Sequence, residues 1–485
     1  MKPISFDKYD YSLLGMVLFF TVIRLAVAPT FGLGVDEAHY FLYAKYLDLS
    51  YVDHPPLVGW VQFPLYRIFG TSEFLVRLPA ILLFALTSVL CYHHTKTFSG
   101  SKRIAILAVL AVNSSFLLNA MSLMLLPDCL LLALIFPLIG VFLKIEETGG
   151  IKYFLALGIL LGLSGLAKYT AVFFVVPLVV YYGLKKRFDL IFSPYMFMAA
   201  LVALLMISPV FYWNYHHDFI SFRYQGGHVL GSKSPSLTSF FVSLLAQFGA
   251  YSPFMFLIAF YGFFKSILSK DDRLRLSCLF GGVLFVFFLY SSLYERTLPH
   301  WPSLFYLLFI PAGIYYLASS PSRAKKNFLS FSIGFTLVIT LFLYAALPGK
   351  WFTFPDYQSP YRDIYGFSDI AAQADMIMKK NSKMQKAVAV NNWTMGSRMM
   401  YYGIPYGMRT FVIDSRQDQF DVWEKEPPLG YDLLFVDTHF HHAVMNERYV
   451  CDAYEPVKSM DIVLRGGKID SVSYIWCRNY QGMKP

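Results

Sequence analysis

Apolar runs that are long enough to cross a membrane recur along this chain from residue 11 to about residue 347. A helix needs about 20 apolar residues to span the ~30 Å hydrocarbon core of a bilayer. Only 15% of the 485 residues are charged, whereas a soluble globular protein carries about 25%. The sequence therefore predicts a polytopic α-helical membrane protein with about eleven spans. We place them at residues 11–29, 74–95, 104–121, 123–143, 153–167, 170–184, 195–213, 238–264, 277–293, 301–317 and 327–347.

The positive charges predict how these spans are oriented. With the N-terminus inside, the inner loops hold seventeen Lys and Arg residues and the outer loops before residue 348 hold six. Cytoplasmic loops carry the excess of Lys and Arg, so we expect a cytoplasmic N-terminus and, after an odd number of spans, an outer C-terminal segment. The net charge of +10 then requires no nucleic-acid partner.

The first apolar run has an alternative interpretation as a removable signal peptide. Ala26-Val27-Ala28 is typical of a cleavage site, but Pro29 follows it directly and Arg24 lies within the run. An uncleaved span also gives the odd number of spans. We therefore keep the first run as a span of a plasma-membrane protein.

The composition changes after residue 348. Residues 349–485 carry dispersed charge and short runs such as "KAVAVNN", "RTFVID" and "YDLLFVD", which are rich in β-branched and aromatic residues and predict strands. "WTMGSRMMYYG" and "THFHHAVMNERYV" predict short helices, and "DIVLRGGKIDSVSYIWC" predicts a hairpin that turns at Gly466-Gly467. We expect a membrane domain over 1–347, a linker over 348–370 and a small α/β domain over 371–485, outside the membrane.

Two of the five cysteines fall in this outer domain. Cys451 and Cys477 would form a disulfide if the outer compartment is an oxidising periplasm. Two unpaired thiols have about equal weight, because the connectivity of cysteines is not readable from a sequence.

The loop between the first two spans, residues 30–73, is long and rich in ionisable groups. Its segment "DEAHYFLYAKYL" places Tyr40, Tyr43, Ala44 and Leu47 on one side at helical spacing, which predicts a helix at the membrane interface. "PPLVGWVQFPLYRIFG" predicts a second. Carboxylates at the start of a helix are favoured by its dipole, so Asp36 as a mere capping residue is the simple alternative.

The ordered motifs of the chain resemble a known family. Asp36-Glu37 after the first span is followed by these segments: "YVDHPPLVGW", "RLPA", "LLPDCLLLAL" at 125–134, "GLAKYTAVFFVVP" at 165–177, "SPVFYWNYHHDFISFRYQ" at 208–225 and "LPHWPSLFY" at 298–306. This set is similar to the bacterial members of the protein-mannosyltransferase and lipid A aminoarabinose-transferase superfamily. The resemblance implies a GT-C-like membrane glycosyltransferase that uses a polyprenyl-phosphate sugar.

The resemblance also implies roles for single residues. Asp36 corresponds to the carboxylate that takes the acceptor's proton or orients the acceptor, with inversion at the anomeric carbon, and Glu37 is the second choice, more suited to holding the loop or a cation. Lys168 corresponds to a family lysine, although its segment reads Ala-Lys-Tyr-Thr and lacks the expected glycine. With Lys168, the candidates for the donor phosphate are Arg77, Arg223 and Arg296. Arginines that only contact lipid headgroups are the alternative.

Further polar residues are expected to line the substrate cavity. Asp128 lies at membrane depth, where an ionisable group usually faces a cavity or a partner, and Lys168 is a candidate partner. The other cavity candidates are Tyr40, Asp53, His54, His228 and His300. For the histidines, a purely interfacial role is the stronger alternative. No fixed ligand spacing indicates a metal, so we expect no required cofactor, and a divalent ion is left open without being predicted.

The sequence favours one class of function over two others. We expect transfer of a sugar to an envelope lipid or glycan, such as lipid A or core oligosaccharide, on the periplasmic face of a bacterial inner membrane. A transporter or flippase of a lipid-linked sugar is the alternative, and it would show inverted repeats or interrupted helices. A protein that only binds a partner through its outer domain would leave the charged first loop unexplained. The sugar and the acceptor are not readable from the sequence.

Overall fold

The computed structural model describes residues 7–230, 234–383, 385–424, 426 and 428–484, and for residues 228–230 it describes the backbone alone. The chain divides into two compact units. The helical unit consists of Met1–Ala26, Leu49–Val58 and Arg77–Ala345. The mixed unit consists of Val27–Asp48, Gly59–Val76 and Ala346–Pro485.

Helices form most of the chain. In chain order the α-helices are α1 (Lys8–Val27), α2 (Val35–Lys45), α3 (Leu57–Phe69), α4 (Glu73–Ser99), α5 (Lys102–Ser114), α6 (Phe116–Met121), α7 (Pro127–Thr148), α8 (Ile151–Ala167), α9 (Val175–Leu184), α10 (Phe188–Ile191), α11 (Pro194–His216), α12 (Ile220–Leu230), α13 (Leu237–Ala250), α14 (Pro253–Ile267), α15 (Asp272–Ser292), α16 (Ser303–Ala318), α17 (Arg323–Gly349), α18 (Phe367–Lys380), α19 (Trp393–Tyr402), α20 (Gln419–Trp423) and α21 (Met445–Arg448). Short 3-10 helices are Tyr169–Phe174, Pro360–Asp363 and Ile404–Tyr406.

Several of these helices are suited to crossing a membrane. Within the part of the chain that the structure describes, six helices are long and apolar enough, namely α1, α4, α7, α11, α15 and α17, and the bent pair α13–α14 makes a seventh if it is one span. Shorter apolar helices are Ile151–Ala167, Tyr169–Leu184 and Ser303–Ala318. The chain is therefore a polytopic helical membrane protein, as predicted, while the number of eleven spans stays a prediction.

The predicted span 238–264 is wrong as a single helix. The structure divides it into α13 and α14, which are bent by 108° at the break. Ser252 adopts a positive φ of 75° at the break, and Pro253 begins the next helix. Proline has no backbone N–H to continue the hydrogen bonds of the preceding helix, so the run of apolar residues hides a sharp turn.

The first span carries a buried cation that is satisfied inside the helical unit. Arg24 is 1% exposed, and its Nη2 donates to the side-chain oxygens of Asn113 at 2.8 Å and Asn119 at 2.9 Å. Its Nε donates to the hydroxyl of Tyr344 at 3.1 Å. An arginine inside a membrane protein is costly unless its donors are occupied, and these hydrogen bonds join α1 to α5, α6 and α17.

A five-stranded sheet lies in the mixed unit. Its strands, with a further small pair, are β1 (Lys386–Val390), β2 (Thr410–Val412), β3 (Asp432–Thr438), β4 (Tyr449–Val450), β5 (Ala453–Leu464), β6 (Gly467–Arg478) and β7 (Gly482–Met483). The order in the large sheet is β2-β1-β3-β6-β5. Strand β1 is parallel to β2 and β3, and β6 is antiparallel to both of its neighbours, β3 and β5. These pairings confirm the three predicted strands and the hairpin. The turn lies one residue earlier than predicted, at Arg465 and Gly466, which both have positive φ, and Gly467 already begins β6.

Successive side chains of β1 and β3 are buried on opposite faces of this sheet. Val388, Val390, Leu434 and Val436 pack on one side with α18 and α19, and the neighbouring residues Ala387, Ala389, Leu433 and Phe435 pack on the other. Successive side chains of a strand point to opposite faces. The near-continuous apolar sequence of "KAVAV" and "DLLFV" is therefore the mark of strands covered on both sides.

The prediction of a helix over "THFHHAVMNERYV" is largely wrong. Thr438 ends β3 and only Met445–Arg448 is helical. The intervening histidines form a turn in which Thr438 and His441 make an isolated bridge. The segment is short and follows a strand directly, so the strand's pairing with β6 determines its conformation.

The first helix predicted in the loop is present as α2, but its burial is not confined to the predicted side, and its position at the membrane interface stays a prediction. All residues from Glu37 to Ala44 are buried, on every side of the helix, and Leu47 lies beyond its end. Ala38 and Phe41 join the core that contains Ile370, Met399 and Tyr474. The helix α2 is thus an internal element of the mixed unit, where its aromatic residues pack against protein.

Candidate active site

The start of α2 presents the predicted catalytic pair. Gly34 is the N-cap, so Asp36 and Glu37 lie in the first turn. The Oε2 of Glu37 accepts a hydrogen bond from the Gly34 N–H at 2.9 Å, and the side chain is 2% exposed. Glutamate at this position commonly caps its own helix in this way. Glu37 therefore holds the loop, whereas Asp36 is half-buried at the helix N-terminus, where the dipole favours a negative charge.

The loop before α2 is fixed to the C-terminal part of the mixed unit. The Gly32 N–H donates to the Ile364 carbonyl at 2.9 Å, and the Leu33 N–H donates to the Tyr402 hydroxyl at 2.8 Å. Tyr402 in turn donates to Oε1 of Glu73 at 3.2 Å. These hydrogen bonds fix the backbone immediately before Asp36.

Aromatic rings surround the first turns of α2. Tyr40 is buried and its ring contacts those of His39 and Tyr43, at centroid distances of 5.7 Å and 5.6 Å. His39 also lies 5.8 Å from the ring of Trp393, and its Nδ1 is 3.2 Å from the Ser397 hydroxyl. Tyr40 therefore belongs to an aromatic cluster that joins α2 to α19.

Residues 49–58 of the first loop belong to the helical unit. The carbonyl of Asp53 accepts from Nε2 of Gln225 at 2.7 Å, and the carbonyl of Tyr51 accepts from the Ser221 hydroxyl at 2.8 Å. The carbonyl of His54 accepts from the Tyr51 N–H at 3.2 Å. Helix α12 thus holds the backbone at Asp53 and His54, and both side chains are half-buried.

A buried ion pair lies in the helical unit. The Nζ of Lys168 is 2.6 Å from Oδ1 of Asp128, and the two residues are 6% and 5% exposed. Lys168 is the single extended residue between α8 and the following 3-10 helix, so its side chain leaves the chain at a break. Asp128 follows Pro127 in the first turn of α7. The pairing that the sequence suggested is present.

The ion pair lies close to residues 49–58 of the first loop within the helical unit. Tyr169, which follows Lys168, has its hydroxyl 3.2 Å from the Ser50 hydroxyl. The Tyr169 hydroxyl is also within electrostatic range of Asp53. The structure therefore brings Lys168, Asp128 and the Asp53 segment into one region.

The other predicted residues are in different surroundings. Arg77 is fully buried near the start of α4, whereas Arg223 on α12 and Arg296 before α16 are exposed. His300 is half-buried, and the side chain of His228 lies outside the described residues. Asp36, Glu37 and Tyr40 belong to the mixed unit, and the remaining candidates belong to the helical unit.

Metal ligands and cysteines complete the inventory. Among the described residues, no group of three or more His, Cys, Asp or Glu side chains is arranged to hold a metal ion. Cys451 and Cys477 form a disulfide with a Cα–Cα distance of 5.4 Å, which ties the segment after β4 to β6. Cys91, Cys129 and Cys278 are unbonded.

One buried residue on α19, the helix that packs against α2, was missed by sequence reasoning. Arg398 lies on α19, is 3% exposed and donates from Nη2 to the Asp363 carbonyl at 2.9 Å. Its signal in the sequence is a lone arginine within the apolar stretch "MGSRMMYY", which predicts a buried charge once that stretch is placed on a core helix.

Comparison with known proteins links part of the chain to a family of transferases. The family model described as dolichyl-phosphate-mannose-protein mannosyltransferase matches residues 53–213. This range contains Arg77, Asp128 and Lys168 and begins after Asp36. The lipid A galacturonosyltransferase RgtD of Rhizobium johnstonii is 26% identical over 250 residues, which are 49% of this chain and 50% of the relative. The chain thus matches about half the length of this curated relative.

Solved structures share the fold over nearly the whole chain. The crystal structure of ArnT from Cupriavidus metallidurans in the apo state superposes with a TM-score of 0.63 at 14% identity, covering 95% of this chain and 98% of that one. The ArnT structure bound to undecaprenyl phosphate gives 0.66 at 13% identity, covering 96% and 97%. The matches in fold and sequence agree, and they confirm the predicted similarity of this chain to the GT-C superfamily of protein mannosyltransferases and ArnT.

Proposed function

We propose that this chain is a membrane glycosyltransferase that moves a sugar from a polyprenyl-phosphate donor to a cell-envelope acceptor. The acceptor class includes lipid A, core oligosaccharide and other glycans. The names of the relatives support this proposal: one is a lipid A galacturonosyltransferase, and one of the structures with the same fold holds undecaprenyl phosphate. The family model is that of a mannosyltransferase with a lipid-phosphate donor.

The buried Lys168–Asp128 pair is the observation that carries the proposal. Asp128 offsets the cost of burying an ammonium group among apolar helices and holds it in one orientation. An ammonium has three N–H donors, and Asp128 accepts from one of them. The others are available to the phosphate of a lipid donor, whose negative charge grows as the sugar leaves.

Asp36 supplies the base in this proposal. The acceptor's oxygen bonds to the anomeric carbon from the face opposite the phosphate while Asp36 takes the acceptor's proton. The bond between that carbon and the phosphate oxygen breaks, and polyprenyl phosphate leaves with the electron pair. The configuration at the sugar carbon is inverted.

The remaining candidates take supporting roles. We assign contacts with the donor phosphate to Arg77, Arg223 and Arg296. We assign the lining of the substrate cavity to Tyr40, Asp53, His54, Asp128, His228 and His300. No metal or other cofactor is part of the proposed reaction.

The orientation follows from the loop charges. We propose a bacterial inner-membrane protein with eleven spans, a cytoplasmic N-terminus and a periplasmic C-terminal domain over 371–485, joined by the linker 348–370 to the membrane portion 1–347. Seventeen Lys and Arg residues in inner loops against six in outer loops support this arrangement. The disulfide between Cys451 and Cys477 suits an oxidising compartment.

A flippase or transporter is the second candidate. Interrupted membrane helices are typical of transporters, and the pair α13–α14 is bent by 108°. The break at Lys168 between α8 and the next helical segment is a second interruption. These two interruptions are the observations that support the second candidate, which would move a lipid-linked sugar without chemistry.

Mass spectrometry of envelope lipids and glycans separates the two candidates. A strain that lacks the gene is complemented with the wild-type chain or with the Asp36→Asn variant. The proposed transferase predicts one missing sugar in the deletion strain, restored by the wild type and not by the variant. An unmodified lipid whose location alone changes, or restoration by Asp36→Asn, would contradict the proposal.

A further inference from the structure

Three hydrogen-bonded contacts hold the segment around Asp36 against α19 and against Ile364, which follows the 3-10 helix Pro360–Asp363. Gly32 and Leu33 contact Ile364 and Tyr402, as described above, and His39 contacts Ser397. A Cβ at position 32 would lie 2.8 Å from both the Ile364 carbonyl oxygen and the Tyr402 hydroxyl. The backbone approach is thus so close that only glycine fits.

These contacts bracket both Asp36 and Arg398. Along the first loop and α2, Asp36 lies between Leu33 and His39. Along α19, Arg398 follows Ser397 and lies one turn before Tyr402. Because the pinned pairs are Leu33 with Tyr402 and His39 with Ser397, the segment with Asp36 faces the turn with Arg398. The packing of α2 against α19 in one core agrees with this placement.

Arg398 is a buried cation in the mixed unit, and its guanidinium is only partly hydrogen-bonded. Its Nη2 is 3.3 Å from Oδ1 of Asp363, whose carboxylate is 64% exposed, and its guanidinium lies 4.3 Å from the Phe367 ring centroid. Its Nε–H is buried and has no hydrogen-bond acceptor within the described residues. Burial lowers the pKa of Arg398, and the neighbouring Asp363, Tyr402 and Asp36 oppose that shift. A guanidinium is buried in this way at considerable cost.

We propose that Arg398 is a positioning residue for Asp36, whose buried guanidinium favours the ionised carboxylate and fixes its orientation toward the acceptor. This inference rests on the proposed function and deepens it. An opposite charge nearby stabilises the charged form of a carboxylate, and a general base is effective only in its ionised form. The C-terminal segment of the chain thereby takes part in the reaction.

Other ionisable groups lie on the elements that pack near Arg398 and the start of α2, and they set the background of the Asp36 titration. They come from each element packed in this region: Glu37 and His39 on α2, Arg398 and Tyr402 on α19, Arg362 and Asp363 in the 3-10 helix before α18, Glu73 on α4, and His441 after β3. Burial and Arg398 lower the pKa of His441, which keeps this imidazole neutral near pH 7. Within this set Arg398 is buried and Arg362 is half exposed.

The test is the pH profile of sugar transfer by the Arg398→Gln variant. Purified full-length protein is added to membrane vesicles of the deletion strain, which contain donor and acceptor, and sugar incorporation is followed by mass spectrometry. Loss of the cation should shift the acid limb of the pH–rate profile to higher pH by about 0.5–1 unit. Arg398→Lys keeps the charge and should keep the limb within about 0.3 unit of the wild type, with a lower maximal rate because the forked geometry is lost.

Arg478→Gln is the matched control. Arg478 also pairs with a buried aspartate, Asp432 at 2.7 Å, and it lies at the far end of β6, where β3 begins. It should leave the pH profile unchanged. A wild-type profile in Arg398→Gln, or an equal loss of rate at every pH, would overturn the inference.

The failure of the inference is distinguishable from that of the proposed function. If Asp36→Asn is inactive while Arg398→Gln keeps the wild-type profile, the role of Arg398 alone is wrong. If Asp36→Asn is fully active, the proposed base is wrong and the inference with it. If Arg398→Gln does not fold, Arg398→Lys decides. An unshifted acid limb with a lower maximal rate supports the proposal, whereas an acid limb at higher pH or a fully wild-type profile contradicts it.

Discussion

Asp36 and Asp128 occupy the same position in two helices, and their surroundings differ. Each lies in the first turn, after Gly34 in α2 and after Leu126 in α7. Asp128 is buried and its charge is paired at 2.6 Å with Lys168. Asp36 is half-buried in the other compact unit, within electrostatic range of the Arg398 guanidinium. The two carboxylates share a helix position but differ in their cationic neighbours, Lys168 and Arg398. The comparison teaches that the surroundings of a carboxylate, and not its position in the helix, decide whether it holds a cation or is suited to act as a base.

Asp36→Asn should have the largest effect, because it removes the proposed base and keeps the shape of the side chain. We expect the rate of sugar transfer to fall by about 10²–10⁴-fold. The matched control is Glu37→Gln, because glutamine can still accept the capping hydrogen bond from Gly34. Transfer assays with the vesicles described above measure both. Equal losses in the two variants would show that the first turn of α2 matters for its structure alone.

Asp128→Asn should destabilise the helical unit, because it leaves the buried Lys168 ammonium without its counter-charge. Breaking one partner of a buried pair costs about 3–5 kcal/mol. The double variant Asp128→Leu with Lys168→Met removes both charges and should recover most of the stability. Thermal unfolding of the detergent-solubilised chain measures this, and an unchanged midpoint in Asp128→Asn would mean that the pair is not buried as described.

The disulfide distinguishes the mixed unit from the helical unit, whose cysteines are unbonded in the described residues. Removing the Cys451–Cys477 bridge, whose ends are 26 residues apart, should lower the stability of the mixed unit by about 2–4 kcal/mol. Reductant should lower the unfolding midpoint of the wild type and leave a variant with both cysteines replaced by serine unaffected. Mass spectrometry under non-reducing conditions that finds both thiols alkylatable would exclude the bridge.

Asp418 gives a third, smaller case of a carboxylate at a helix N-terminus. It caps α20 through the Phe420 N–H at 2.9 Å, and burial raises the pKa of Asp418 to about 6. A raised native pKa means that wild-type stability falls as the pH rises from about 4 to 6. Asparagine caps equally well and carries no charge.

Asp418→Asn should therefore stabilise the mixed unit by about 1–2 kcal/mol at pH 7.5 and by nothing below about pH 4. Tryptophan fluorescence of the full chain during thermal unfolding follows the change, since Trp423 ends α20. A gain that is equal at both pH values would contradict burial of an ionised Asp418 as its cause.

Local patterns predicted much of this molecule, and long-range contacts account for what they missed. The strands and hairpin follow from residues that are close in sequence, and Lys168 and Asp128 stand out because charges are rare at membrane depth. The burial of α2 depends on partners such as Tyr402, which is 369 residues from Leu33. The break at Ser252 was hidden because apolar residues continue through it. Arg398 was missed because its significance depends on that same distant packing.

Affinity for undecaprenyl phosphate, measured on the purified Asp36→Asn and Lys168→Ala variants, tests the division of roles most directly. We predict that Asp36→Asn binds this lipid phosphate as the wild type does. Lys168→Ala should bind it about 10–100-fold more weakly, because a charge-assisted hydrogen bond to phosphate is worth about 1.5–3 kcal/mol. Unchanged affinity in Lys168→Ala, together with a loss in Asp36→Asn, would contradict the proposed division between a phosphate-binding lysine and a catalytic carboxylate.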